Sequence, residues 1–210
     1  MARTADHAAR RREMTDAVRS LLAEDGFEAV TVAHVARRSG VSVGLVQHYF
    51  PSKDELLLTA YRTTLADVAA RVAGIVADGE ARAQPIRLIL GRALREHLPL
   101  DRTRRTDHAV RLALLVRGTT GAPARELAAD YLRSLRTQVE QATVNGRECG
   151  EVDRDTDPEA AGQELVALIT GMADQLFVDD SAAVADAGLA ALDAAVRRVF
   201  ANTCRHYQSI

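Results

Sequence analysis

The chain has no tryptophan, only four phenylalanines and four tyrosines, five prolines, two cysteines and a single lysine in 210 residues. Scarce aromatics beside a 47% hydrophobic content, supplied mostly by Ala, Leu and Val, disfavour sheets and favour packed helices. Cys149 and Cys204 have no CxxC spacing and no neighbouring His cluster, so the sequence indicates neither a disulfide framework nor a metal site. No apolar stretch approaches the roughly 18 residues of a membrane span, and no N-terminal run has the order of a signal peptide. The expectation is a soluble, cytoplasmic protein. Also missing are a Ser-His-Asp order, HExxH, a paired-carboxylate motif and a phosphate loop, which leaves no assignable catalysis and no cofactor.

What is present is a chain long enough to bury a core without staples, in one or two domains. Its net charge of -2 is no polycation, but the charge is uneven. Up to Lys53 there are eight Arg or Lys against six Asp or Glu; the remainder has nineteen against twenty-three. Arg3, Arg10, Arg11 and Arg12 dominate the basic end, either as phosphate contacts or as a solvated helix start.

Apolar periodicity predicts about nine helices. Met14, Ala17, Val18, Leu21 and Leu22 mark the first, stopped by Gly26. Thr31 can N-cap a second through Ser39, and Gly40-Val41-Ser42 breaks it before a short third helix ending near Tyr49. A capping box, Ser52 to Glu55, opens a long helix to about Ala77. Pro85 opens another, closed by Pro99. Further segments run from about Arg102 to Val116 and from about Ala124 to Asn145, with Gly146 and Gly150 marking the end. Asp157-Pro158-Glu159 is an N-cap followed by Pro at the first helical position, and the last helix runs from Ser181 to about Phe200. His206 to Ile210 reads as a frayed tail.

The informative stretch is Thr31 to Lys53, which meets the mechanical needs of a helix-turn-helix. Ala36 is small where two helices cross, Gly40 frees the turn of side-chain clash, Val41 plugs the angle and Val46 faces the core. One face remains outward, carrying Ser42, Val43, Leu45, Gln47, His48 and Tyr49, groups suited to a DNA groove.

The segment TVAHVARRSGVSVGLVQHYFPSKDELL, Thr31 to Leu57, resembles the DNA-binding signature of TetR family regulators. The resemblance covers about the first sixty residues closely and the helical remainder in plan. His97-Leu98-Pro99-Leu100-Asp101 and the start at Asp157 further resemble the subgroup that includes choline-responsive betaine regulators. The family implies an all-α protein with a three-helix DNA-binding domain, residues 1–53, an effector-binding and dimerisation domain, 54–201, and a tail, 202–210.

By that resemblance the third helix enters the major groove, with Val43, Leu45 and Gln47 toward the bases and Gly44 among the DNA-binding positions. Val43 and Leu45 can pack against thymine methyls. Gln47, where the family usually has Tyr, can pair bidentately with adenine, contact phosphate or stay solvated, and the sequence leaves this open. Thr31, Ser42, His48, Tyr49 and Lys53 match phosphate-contacting positions, which set docking rather than sequence. Packing beneath the reader is the alternative for Tyr49, and solvation for His48. Lys53 opens a helix, where a cation is slightly disfavoured and an external anion is a reasonable partner. Of Arg37 and Arg38 one is expected to face phosphate.

The resemblance also implies a small-molecule effector. His97 and His108 continue apolar stripes and point inward, either as ligand contacts or as hydrogen-bonded core histidines. Tyr61, Tyr131, Met172 and Phe177 are further candidates, with ordinary packing as the alternative. The two long C-terminal helices, about 158–178 and 181–200, carry apolar residues on more than one face: Val166, Ile169, Phe177 and Val178, then Leu189, Leu192, Val196, Val199 and Phe200. A homodimeric four-helix bundle would cover them, and its two-fold axis implies a palindromic operator with recognition helices roughly 34 to 36 Å apart. The expected function is a dimeric repressor released from DNA by a small effector; activation stays open. Two rivals are an all-helical enzyme or carrier with a vestigial reader, and a structural DNA-binding protein with a solid, pocketless body.

Overall fold

The computed structural model describes residues 2–205, with side chains from His7 onward. Among them lie nine α-helices and no strand: α1 (Ala2–Glu24), α2 (Val32–Ser39), α3 (Val43–Tyr49), α4 (Lys53–Ala81), α5 (Ile86–Arg95), α6 (Arg102–Gly118), α7 (Ala122–Cys149), α8 (Pro158–Val178) and α9 (Ala182–Val199). A 3₁₀ turn, Phe27–Ala29, joins α1 to α2. The all-α plan and the nine helices are as the sequence predicts.

Side-chain caps begin the helices where hydroxyls and carboxylates were available to satisfy free N–H groups. Thr31 Oγ1 accepts from the His34 N–H, Ser42 Oγ from Leu45, Ser52 Oγ from Glu55 and an Asp157 oxygen from Glu159. No side chain of its own caps α5, which starts after Pro85. Its first two N–H groups, Ile86 and Arg87, donate instead to the two carboxylate oxygens of Glu151, at 2.7 and 3.0 Å.

Two helices run further than their periodicity indicates. α4 continues past Gly79 to Ala81, and α7 runs to Cys149, so Gly146 sits inside a helix instead of ending it. The reason is close packing. A Cβ on Gly79 would come within 2.4 Å of the Ile89 side chain, and one on Gly146 within 2.5 Å of Val152 and 2.8 Å of Phe200.

The chain forms two compact units. One comprises the residues up to Asp67 with Arg105–Ala128; the other comprises Val68–Arg104 and the chain from Ala129 onward. The sequence-read boundary at Lys53 instead marks the start of α4, which contributes residues to both units. The first unit is built on Met14, Val18, Leu21, Val35, Val46, Phe50, Leu57, Tyr61 and Leu114. On another side of α1, Arg19 is buried and bonds Asp67 of α4 and Asp107 of α6, each at 2.8 Å. Asp67 also takes a two-pronged bond from Arg12, at 2.7 and 3.0 Å.

The second unit has its core in Leu94, Leu98, Leu135, Val139, Leu165, Ile169, Leu192, Val196 and Phe200. Val166, Ile169, Leu192, Val196, Val199 and Phe200, read as surplus apolar surface, are therefore buried within one chain, because α9 packs on both α8 and α5. Val178, 88% exposed, is the strong exception. Residues 202–204, read as the start of a tail, are docked: the Asn202 N–H donates to the Glu151 carbonyl at 3.0 Å, and Cys204 is buried. The expected fray at His206 to Ile210 lies outside the described residues.

Burial alone would raise the Asp67 carboxyl, but Arg12 and Arg19 outweigh it and hold it below its ordinary value. A depressed native value contributes stability that is complete above the unfolded Asp value of about 3.9 and is lost as pH falls through the native one. Asp67→Asn should lower stability at neutral pH and flatten part of the acid limb below about pH 4, measured by urea unfolding across a pH series. An unchanged acid limb would show that these ion pairs carry no net stabilisation.

Candidate nucleic-acid interface

The α2–α3 corner is set by backbone geometry before any side chain reaches outward. Gly40 adopts φ +67°, the left-handed conformation that glycine accepts without a Cβ clash, and its N–H bonds the last turn of α2. The next N–H, of Val41, reaches the Ala36 carbonyl at 3.0 Å. Val35, Ala36 and Val46 are buried, so α2 and α3 share one small core with α1. Ser42 then stands in extended conformation and caps α3.

Ser42, Val43, Gly44, Gln47 and His48 are exposed. Leu45 and Tyr49 differ from the outward placement read from sequence: both are half-buried and pack on the first unit's core. They lie four residues apart on a helix whose fully buried residue is Val46, so they form the shoulder of the inward stripe. Tyr49 also stacks against His7, with ring centroids 4.4 Å apart, and meets His48 edge-on at 5.7 Å. Its ring is thereby fixed beside the exposed face.

The cations sort by their partners. Arg38 donates to Glu24 at 2.5 Å and Asp25 at 3.1 Å, and the Glu24 bond raises its guanidinium further. Arg37, its neighbour, is exposed and has no ion pair among the described residues. In the N-terminal arm, Arg10 bonds Glu13, Arg12 bonds Asp16 and Asp67, and Arg11 bonds Thr59 with its guanidinium 4.8 Å from the Phe50 ring centre. Arg3 lies outside the described side chains. Lys53 is half-buried, with its Nζ 4.6 Å from the Phe27 ring centre. A signal readable in the sequence is that Thr31 to Lys53 contains Arg37, Arg38 and Lys53 but no Asp or Glu. A segment without carboxylates of its own, with an exposed arginine outside any described ion pair, suits a polyanion.

The six residues considered for a small ligand divide between the units. Tyr61 and His108 are in the first; His97, Tyr131, Met172 and Phe177 are in the second. His97 and Tyr131 meet, the ring Nδ1 lying 2.9 Å from the phenolic oxygen. His108 is buried with Arg111 against its ring, 3.3–3.4 Å away. Met172 is buried in the second core, and Phe177 is half-buried. Tyr61 is buried and its hydroxyl has no hydrogen-bond partner among the described residues; nor has that of Thr64, one turn on. Burial pushes the Tyr61 phenol up to about 12, with nearby Arg117 opposing. Thr64 was not singled out from sequence, since one threonine in a long helix carries no signal.

The second unit has two described clefts, neither lined by any of the six. One, about 380 Å³, is bordered by Arg87, Arg92, Arg95, Arg197 and Asp193. The other, about 580 Å³, lies between Arg136, Glu140 and the start of α8. Cys149 and Cys204, isolated in sequence, lie together beside Glu151. Among the described residues no helix is long and apolar enough to cross a membrane.

Residues 15–60 match the family model described as bacterial regulatory proteins, tetR family, and residues 87–201 match that of the BetI-type transcriptional repressor, C-terminal. The HTH-type transcriptional regulator BetI of Agrobacterium fabrum is 32% identical over 192 residues, covering 91% of this chain and 86% of that one. Matches to three further regulators of that name are shorter, spanning 41%, 35% and 43% of their lengths. Among solved structures, a transcriptional regulator from Rhodococcus sp. superposes with a TM-score of 0.78 at 26% identity, covering 90% of this chain and 95% of that one. A regulator from Saccharomonospora viridis, solved in complex with choline, has a TM-score of 0.79 at 24% identity, covering 89% and 95%.

Gly44 lies inside α3, and a Cβ built there meets nothing within 4 Å. The fold therefore does not require glycine at this position. Gly44→Ala should raise thermal stability, by about 0.5–1 kcal/mol, because alanine loses less entropy in a helix. A measured loss of stability would mean that the protein's own packing demands the glycine.

Proposed function

The chain belongs to the tetR family of bacterial regulatory proteins, with a BetI-type C-terminal part, and from that premise we propose that it is a dimeric repressor released from a palindromic operator by a small molecule. That it is a DNA-binding transcriptional regulator, and not an enzyme, follows from family membership. The observation supporting the mode of binding is the exposed face of α3, which carries no carboxylate of its own, with the exposed Arg37 at the end of α2.

In the proposed complex α3 lies in the major groove. Gln47 reads a base edge through its amide, and Val43, 43% exposed, packs against methyl groups there. Gly44 lets the helix approach the DNA without a side chain between. Thr31 and Ser42 already accept from backbone N–H groups, so their hydroxyl protons remain for phosphate oxygens. His48, Lys53 and Arg37 supply further phosphate contacts, while Leu45 and Tyr49 support the helix from behind.

Dimerisation is assigned to the outer faces of α8 and α9. Since the large apolar residues of these helices are used within the chain, the contact is made by what is left outside. On α9 that is a run of exposed alanines, Ala183, Ala187, Ala190, Ala191 and Ala194, and on α8 Ala167, Gly171 and Val178. Small residues allow close helix approach in a four-helix contact across a two-fold axis. The effector is a small molecule with choline as its first test ligand, given the choline-bound neighbour. A differential affinity of about 1–3 kcal/mol between DNA-competent and effector-bound forms gives 5- to 150-fold release.

Fluorescence anisotropy with the chain's own upstream DNA should show preference over scrambled duplex at moderate salt. Arg37→Ala should weaken both and reduce the salt slope by about 1, whereas Gln47→Ala should cost about 1–3 kcal/mol on operator alone. Arg38→Ala should change the slope little. Equal affinity of the wild type for operator and scrambled DNA would sink the repressor reading.

Ala190→Glu sets like charges against each other across the proposed two-fold axis. It should give a folded monomer by sedimentation velocity and lose tight operator binding. A dimer that survives the substitution places the interface elsewhere.

A further inference from the structure

Three buried groups in the second unit converge on one point without a role in DNA reading or in dimerisation. Cys149 ends α7, Glu151 follows after the Gly150 turn, and Cys204 arrives from the docked segment beyond α9. They are 5%, 0% and 2% exposed. Their two sulfurs and a carboxylate oxygen all lie within 4.8 Å of one another.

The Cys149 Sγ is 3.6 Å from Glu151 Oε1. In a tetrahedral site with metal–sulfur bonds of about 2.3 Å and metal–oxygen bonds of about 2.0 Å, the sulfur and oxygen stand about 3.5 Å apart. The thiol now donates a hydrogen bond to that oxygen, and the separation is close to that of two ligands sharing one ion. We propose that Cys149, Cys204 and Glu151 form a binding site for a thiophilic d¹⁰ divalent cation of the zinc and cadmium class.

Binding balances as one M²⁺ and two thiols giving a bis-thiolate complex and two protons released to solvent, with the Glu151 carboxylate as third ligand. The product carries one net negative charge: two thiolates and one carboxylate against one dication. Two N–H groups at the α5 N-terminus, Ile86 and Arg87, donate to the same carboxylate. They hold it in place from the outer side, as partners of metal-bound carboxylates do, and the positive end of α5 offsets the residual charge. Three protein ligands leave one coordination position for a solvent oxygen.

A redox disulfide is the rival use of paired cysteines, and it has no use for the buried carboxylate that lies within 4.8 Å of both sulfurs.

The site joins three separated stretches: the α7 end, the α5 start through Glu151, and the segment at Cys204. Occupancy therefore ties the chain beyond α9 to the second core. Anything that binds the native form but not the unfolded one raises Tm by mass action.

The test uses the reduced, chelator-treated, tag-free full chain titrated with Cd²⁺, following thiolate-to-cadmium charge transfer in the ultraviolet. One equivalent per chain is expected, with a rise in Tm. Cys204→Ser and Cys149→Ser should each abolish the band and the Tm rise, and Glu151→Gln should weaken binding at least tenfold. Because Glu151 caps α5, its variant is read only where the helical circular dichroism is retained; the serine variants decide the matter otherwise. Absence of a stoichiometric thiolate band in the wild type, or its retention in Cys149→Ser/Cys204→Ser, overturns the assignment.

Discussion

The bond between Arg19 and two carboxylates is the constraint on which the first unit's geometry rests. Arg19 is nearly excluded from solvent, as is Asp107, while Asp67 is partly so. Desolvating such groups costs several kcal/mol per ion, and only good geometry offsets it. That geometry is specific: a guanidinium on α1 must face a residue of α4 and a residue of α6 at once. Removing Arg19 would take from Asp67 and the buried Asp107 a guanidinium that each bonds at 2.8 Å, and breaking such a buried pair costs about 3–5 kcal/mol. The arrangement therefore selects one register of α1 against two other helices. Apolar packing of Met14, Val18 and Leu21 would select it less sharply, because hydrophobic contact has no direction.

From that register the reading surface follows. α1 packs on α2, and α2 on α3, through Val35, Ala36 and Val46. α3 is a helix of only seven residues, too short to be stable in isolation, so its orientation is borrowed from the core beneath it and from the Ser42 cap. The half-buried Leu45 and Tyr49 have that supporting part. They hold Ser42, Val43, Gly44, Gln47 and His48 outward on a rigid element, which the proposed reading of a groove requires.

Much of this was legible in the sequence because it is local. Thr31, Gly40, Ser42, Ser52 and Asp157 act within four residues of themselves, and their chemistry names the helix ends they make. What was not legible depends on contacts between distant segments. Gly146 reads as a stop and Gly79 lies just past the predicted end of its helix, yet each is a helical residue kept small by Ile89 or by Val152 and Phe200. The apolar faces of α8 and α9 looked unpartnered because α5, which shares in covering them, is far away in the chain. Cys149 and Cys204 gave no spacing signal for the same reason. The ligand candidates were least legible: periodicity placed His97 and His108 inward, but only the fold shows that one meets Tyr131 and the other Arg111.

Arginine abundance carries no functional information in a chain with one lysine, so the meaning of each arginine has to come from its partners. With carboxylates slightly outnumbering cations overall, most guanidiniums find an intrachain acceptor, and a paired guanidinium must give up that bond before it can serve a phosphate. Arg38, Arg10 and Arg12 are in this position. Arg37 is not, and its stretch of the chain contains no acid that could compete. The absence of Asp and Glu between Thr31 and Lys53 thus leaves Arg37 without a local acid to pair with, although Glu24 and Asp25 still reach Arg38, and it removes from α3 the repulsion a carboxylate would exert on an approaching phosphate. The rest of the molecule is net negative, so in the proposed binding mode the α2–α3 face is where an anionic duplex meets the least repulsion. In that proposal, orientation on DNA is set by charge placement before any base is read.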